Sequence, residues 1–157
     1  MKLAKACGIK VERGIVVDSH MRTSHPDVYA VGDAVQVVDA PTGRPILPLI
    51  GTLAMRQGLV AASNIMGMPA ALPPVTIWGV SSFFDLHWAS IGWSEEAASK
   101  AGIPVKTIVL PVRTRDEAMP AGKNGNWKVV VSKEKASDLK EGQIIGFQAV
   151  IEGDPEI

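Results

Sequence analysis

The chain has one cysteine, Cys7, and three histidines among its 157 residues. A lone thiol closes no internal disulphide. His20, His25 and His87 show no i, i+4 pairing and no neighbouring cysteine, so no ligand set for a metal is expected. A reducing cytoplasm is the natural setting for such cysteine usage. Neither charge sign is in excess, with 16 Lys+Arg against 16 Asp+Glu, which speaks against nucleic acid or an anionic membrane as partner. No stretch approaches the ~20 apolar residues that span a bilayer, and Met1-Lys2-Leu3 leads into no signal-type apolar region, so a soluble protein is expected. No Gly-x-Gly-x-x-Gly occurs, which removes the dinucleotide pyrophosphate loop of that type. Tyrosine is confined to Tyr29.

What is present is 46% hydrophobic and 20% charged, a globular composition apolar enough to leave some surface for a partner. Leu3 to Gly8 reads as a helix end in which Cys7 is a small packing residue. Gly14 to Asp18 is a compact apolar run. Val28 to Val31 has no polar alternation, as in a strand buried on both faces, and stops at Gly32-Asp33. Residues 39 to 48 hold three prolines and a glycine and read as loop. The stretch from Thr52 to Met66 lacks proline and predicts a helix packed on several sides, with Gly67 as its stop. The segment from Pro69 to Pro74 is the expected boundary between two domains, 1–68 and 75–157.

Beyond that boundary, Val75 to Val80 and Phe83 to Trp93 read as strands broken at Ser81-Ser82. Ser94 is placed to cap a short helix whose first turn carries Glu95 and Glu96, electrostatics of a helix start rather than a catalytic pair. Val105 to Leu110, Trp127 to Val131 and Ile144 to Ile151 complete a strand set. The expected second domain is α+β with a largely antiparallel sheet. Trp78, Trp88 and Trp93 fall within sixteen residues, a density that suits either a core or an interface hot spot.

The stretch most informative for chemistry runs from Thr23 to Asp33. A buried strand ending in Gly-Asp puts a carboxylate at the rim of a sheet, where open α/β proteins bind ligands, and glycine lets a ligand approach the backbone. Gly-Asp also makes ordinary turns. The whole string, with Thr23, a spacer, an apolar strand and Gly32-Asp33, resembles the second FAD-binding motif of the pyridine nucleotide-disulphide oxidoreductases. Pro48 to Gly58, ending Arg56-Gln57-Gly58, resembles the segment that begins the last helix of their FAD domain. Thr76 to Gly92, containing Phe84-Asp85-Leu86 and Ala89-Ser90, is similar to the opening of the interface domain in the subgroup of NADH oxidases, NADH peroxidases and coenzyme A-disulphide reductases. Gly146-Phe147-Gln148-Ala149-Val150 resembles a late strand of the same domain.

The resemblance implies the end of an FAD-binding α/β domain followed by a dimerisation domain, and so the carboxy-terminal part of a flavin-dependent oxidoreductase. Its parent would pass electrons from NAD(P)H through FAD to a small-molecule acceptor: a disulphide, peroxide, oxygen or sulfur compound. Asp33 would bind the ribityl chain, Gly32 would line its approach, and Ile50, Gly51 and Thr52 would meet the pyrimidine edge of the flavin. Residues 75 to 157 would form a homodimer interface. The family's redox cysteine motif and glycine-rich loops have no match, so no catalytic residue is expected within this chain, and taken alone it is expected to be inactive and free of flavin. The stretch from Arg115 to Pro120 has no tyrosine where coenzyme A-disulphide reductases place one before a proline, which speaks against that acceptor. His87 has no glutamate at the step used by glutathione reductase relatives. A non-catalytic dimerisation module without cofactor is the alternative.

Overall fold

A computed structural model describes residues 1–113, 124–135 and 139–153. The chain divides into two units, Met1–Val75 and Thr76–Ile157. The tyrosine-free stretch from Arg115 to Pro120 lies outside the described residues.

In the first unit, helix α1 (Lys2–Ala6) buries no residue. Cys7, expected to pack, is exposed at its end. A helix of five residues presents too little apolar surface to bury a side chain just beyond it. Three short strands follow, β1 (Ile15–Val16), β2 (Val35–Val38) and β3 (Pro45–Ile46), in the order β1-β2-β3. The first pair is parallel and the second antiparallel. Strand β3 lies within the stretch expected to be loop. Asp39 explains how that stretch folds back: its carboxylate accepts hydrogen bonds from the Thr42 amide and hydroxyl, and its own N–H donates to the Arg44 carbonyl at 2.9 Å. These contacts close a hairpin around Gly43.

Residues 28–31 do not form the expected strand. Tyr29 makes a single antiparallel bridge to Arg22, and no described strand pairs with residues 28–31 along their length. An apolar run becomes a strand only with a neighbour to complete its ladder. The strand instead begins after Gly32-Asp33, at Val35.

Helix α2 (Gly51–Ile65) carries Leu53, Gln57 and Ala61 on its buried stripe. It ends in a Schellman arrangement, with the Gly67 N–H on the Asn64 carbonyl and the Met68 N–H on the Ser63 carbonyl; Gly67 supplies the required positive φ of 77°. Met55, Leu59 and Ile65 are exposed, so the helix is covered on one side only rather than on several. Residues 69–74, expected as the boundary between the domains, are held to the first unit, which ends at Val75. Leu72 is buried and its N–H donates to the Ser19 carbonyl, while Asn64 bonds both polar backbone atoms of Ala70. Gly58, inside α2, has open space where a Cβ would stand and no positive φ. Gly58→Ala should therefore stabilise the chain by about 0.5–1 kcal/mol through helix propensity, read as a higher urea midpoint.

The second unit is a five-stranded antiparallel sheet in the order β4-β5-β8-β7-β6, formed by β4 (Trp78–Phe83), β5 (Leu86–Gly92), β6 (Val105–Arg113), β7 (Asn124–Ser132) and β8 (Ile144–Glu152). The break between β4 and β5 falls at Phe84-Asp85, not at Ser81-Ser82. Both serines sit in the ladder opposite Trp88 and His87, and Ser82 Oγ bonds His87 Nδ1 at 2.7 Å. Phe84 takes the left-handed conformation, with φ 52°, at the first loop position, as a two-residue hairpin demands. Helix α3 (Glu95–Lys100) starts at Ser94, whose hydroxyl accepts the Ala97 N–H as expected of a cap. It closes a core of Ala98, Ile103, Val130, Leu139 and Ile145, with Trp93 packed against it.

The register sorts the side chains of this sheet by face. Trp78 opposes Ile91, Ile91 opposes Phe147, Phe147 opposes Val129, and Val129 opposes Ile108. Directly opposed residues share a face, so these residues form one apolar row across all five strands. Trp127 and Phe147 meet edge-on within it at 5.8 Å. Trp78, Ile91, Trp127, Ile108 and Leu110 on this face are exposed, while Trp93 belongs to the core. Of the tryptophan cluster, Trp93 takes the core role, whereas Trp78 and Trp88 are exposed. Edge strand β6 carries Pro111, and its register with β7 runs through that residue unbroken.

Candidate functional site

The structure places Gly32 and Asp33 in a turn that leads into β2. The Val35 N–H donates to the Gly32 carbonyl at 3.0 Å, and Gly32 adopts φ 85°. A Cβ at Gly32 would meet no atom within 4 Å, so its backbone is open to approach. Asp33 is exposed. It precedes a strand instead of ending one, because the ladder that would make residues 28–31 a strand is not formed.

The second group of candidates, Ile50, Gly51 and Thr52, stands at the start of α2. Ile50 is the N-cap residue with an extended backbone, and no side chain caps the first turn. Gly51 and Thr52 are exposed, and a Cβ on Gly51 would again meet nothing within 4 Å. An uncapped helix start offers unpaired N–H groups and the positive end of the helix dipole.

These two groups are tied together through a residue to which the sequence reading gave no role. The Gly32 N–H donates to Gln57 Oε1 at 2.6 Å, fastening the Gly32-Asp33 turn to the second turn of α2. Gln57 is 1% exposed. The signal was present in the sequence: Leu53, Gln57 and Ala61 lie four residues apart, and a polar side chain on an apolar helical stripe needs a buried partner.

Elsewhere in the unit, polar groups serve the fold. Gln36 accepts from the Gly14 N–H and donates to Glu12. The bond from Gln36, followed by those from Lys10, holds the Glu12 carboxyl below the usual carboxylate range. The Arg22 Nε donates to the Tyr29 hydroxyl, which raises the already high pKa of the guanidinium. His20 Nδ1 bonds the Ala70 carbonyl at 2.7 Å. An apolar cleft of about 260 Å³ is lined by Val16, Met21, Val38, Leu72 and Pro73 among others, and none of the five candidate residues lines it. Among the described residues, no three His, Cys, Asp or Glu side chains gather as a metal site, and no helix is long and apolar enough to cross a membrane.

A mixed three-stranded sheet with one long helix, followed by a five-stranded antiparallel sheet, is the architecture found in known relatives. Residues 1–58 match the family described as Pyridine nucleotide-disulphide oxidoreductase, and residues 80–156 match its dimerisation domain. The chain belongs to the pyridine nucleotide-disulphide oxidoreductase family. It is 36% identical over 151 residues to a protein named NADH oxidase from Methanocaldococcus jannaschii, covering 96% of this chain and 32% of that protein. It is 31% identical over 152 residues to an NAD(P)H sulfur oxidoreductase (CoA-dependent) from Pyrococcus furiosus, covering 96% and 33%. The solved structure of an NAD-dependent persulfide reductase from A. fulgidus superposes with a TM-score of 0.83 at 33% identity, covering 98% of this chain and 28% of that one. The chain thus spans about a third of the length of the curated relatives it matches.

Proposed function

We propose that this chain supplies the last part of an FAD site and a homodimer interface to an NAD(P)H-dependent flavin oxidoreductase. Residues 1–68 would belong to the FAD-binding domain and 75–157 to the interface domain. When bound, FAD would accept hydride from NAD(P)H and hand electrons to an oxygen, peroxide, disulphide or sulfur acceptor. The observation that carries this reading is the bond from Gly32 to Gln57, which joins the two sequence motifs into one element.

The residues present fit the group. Open space beside Gly32 and Gly51 lets a ligand touch backbone where any side chain would stand. The exposed Asp33 carboxylate is available to accept hydrogen bonds from the hydroxyls of the ribityl chain. The uncapped N–H groups near Ile50, Gly51 and Thr52 would stabilise negative charge developing at the pyrimidine edge of the flavin on reduction. The exposed Met55, Leu59 and Ile65 of α2, and the apolar face of the five-stranded sheet, are the kind of surface that neighbouring domains and a second subunit cover. The three relatives described above are named as an oxidase, an oxidoreductase and a reductase of NADH, NAD(P)H or NAD, which supports the same class here. A cytoplasmic location agrees with the single exposed thiol.

The test is the spectrum of the protein carrying this chain together with the family's preceding FAD and nucleotide segments. A yellow dimer absorbing near ~450 nm and bleached by NADH or NADPH is expected. A colourless dimer that ignores both nucleotides would instead support a cofactor-free dimerisation module.

A further inference from the structure

We propose that Gln57 is a positioning residue for flavin binding, fixing the Gly32-Asp33 turn against α2 so that carboxylate and helix start are presented as a single rigid pair. The inference rests on the proposed FAD site and goes beyond it, because Gln57 is buried beneath that site and need not itself touch the ligand.

The buried and half-buried amides of this unit differ in how they are used. Gln36 has both ends paired, its oxygen with the Gly14 N–H and its nitrogen with Glu12. Asn64 likewise uses its nitrogen toward the Val60 and Ala70 carbonyls and its oxygen toward the Ala70 N–H. Among the described residues Gln57 uses its oxygen alone: its Nε2 is buried and none of them accepts a hydrogen bond from it, although an unsatisfied buried donor is costly. A side chain retained in that state is held for the bond its oxygen makes. That bond goes to Gly32, whose φ of 85° puts its N–H in a direction set by the turn and not by a strand ladder. Residues 28–30 pair only with residues 21–23 on the near side of the turn, so the Gln57 contact is what ties the turn to α2.

Two substitutions separate positioning from mere packing. Gln57→Met keeps the volume and removes the acceptor; Gln57→Glu keeps an oxygen acceptor and removes the Nε2 donor. In the flavin-loaded parent, the flavin Kd of Gln57→Met should rise about tenfold, the equivalent of one lost hydrogen bond. Gln57→Glu should recover most of that loss when measured at a pH where the buried carboxyl is protonated. In the 157-residue chain the Gly32 amide should exchange with solvent faster in Gln57→Met than in the parent sequence. A Gln57→Met parent that binds flavin as tightly as wild type, or equal losses in both variants, would overturn the positioning role. A wild-type parent without flavin would sink the proposed function and this role together, and the amide-exchange result would still report on the bond itself.

Discussion

Gly146→Ala is expected to unfold the five-stranded unit well below the temperature at which the natural sequence melts. Gly146 of β8 stands directly opposite Gly92 of β5. A Cβ at Gly146 would lie 1.8 Å from the Trp93 carbonyl oxygen, and one at Gly92 would lie 2.2 Å from the Ile145 carbonyl oxygen. Both obstacles are backbone, so no rotamer change relieves them. Here the chain leaves β5 for α3 while the Trp93 N–H still donates to the Ile145 carbonyl at 2.9 Å. Separating the backbones to admit a methyl would break that bond and tilt Trp93 away from the core it shares with Ile103 and Val130. Overpacking combined with a lost buried hydrogen bond belongs to the severe class of single substitutions, about 3 kcal/mol or more. In a unit of this size that lowers the melting temperature by roughly 12 °C or more. Near-ultraviolet circular dichroism of the tryptophans during a thermal ramp would register it. The same substitution at Gly58, where a Cβ meets nothing, carries the opposite sign, so the pair separates steric exclusion from any general effect of glycine. A Gly146→Ala protein melting within ~2 °C of the natural sequence would show that β5 and β8 are not this close.

Asp33→Ala is expected to strip flavin from the parent protein while leaving its fold intact. Asp33 is exposed and sits in a turn whose geometry comes from Gly32 and the hydrogen bond to Gln57, so its removal should change stability by no more than about 0.5 kcal/mol. A carboxylate accepting hydrogen bonds from ligand hydroxyls is a charged acceptor, and losing it costs about 1.5–3 kcal/mol of binding. The flavin Kd should then rise between about tenfold and a hundredfold. Asp33→Asn, which keeps one oxygen acceptor and loses the charge, should fall between the two. Flavin retained after dialysis, read by absorbance, gives the occupancy, and urea unfolding of the same samples gives the stability. Full retention of flavin by Asp33→Ala would remove this residue from the site.

The second unit was the more legible of the two in the sequence, for a physical reason. Each of its strands has a paired neighbour inside the unit, so the apolar runs at 105–110, 127–131 and 144–151 became β6, β7 and β8, each extended at one or both ends. Ser94, Gly102 and the acidic first turn marked α3 by local chemistry that needs no distant partner. The hairpin at Phe84-Asp85 was misplaced because Ser81-Ser82 has the composition of a turn, whereas a fully exposed phenylalanine in the left-handed region does not announce one. In the first unit the helix was readable and the strand at 28–31 was not. Strand character depends on a ladder partner that composition cannot reveal. The role of Gln57 was hidden for a similar reason: its place on an apolar stripe signals a buried contact, but Gly32 is twenty-five residues away.

Pro111 has a consequence for how copies of this protein meet. A proline in a ladder is tolerated when its missing donor faces the open side of an edge strand, so the outer flank of β6 cannot supply a full set of N–H groups to an incoming chain. The opposite flank, β4, has no such residue. Edge-to-edge stacking into an endless ribbon needs two competent flanks on every molecule, and this sheet offers one. Strand addition at the Pro111 flank is therefore disfavoured, and a regular ribbon built edge on edge loses one of the two flanks it would need.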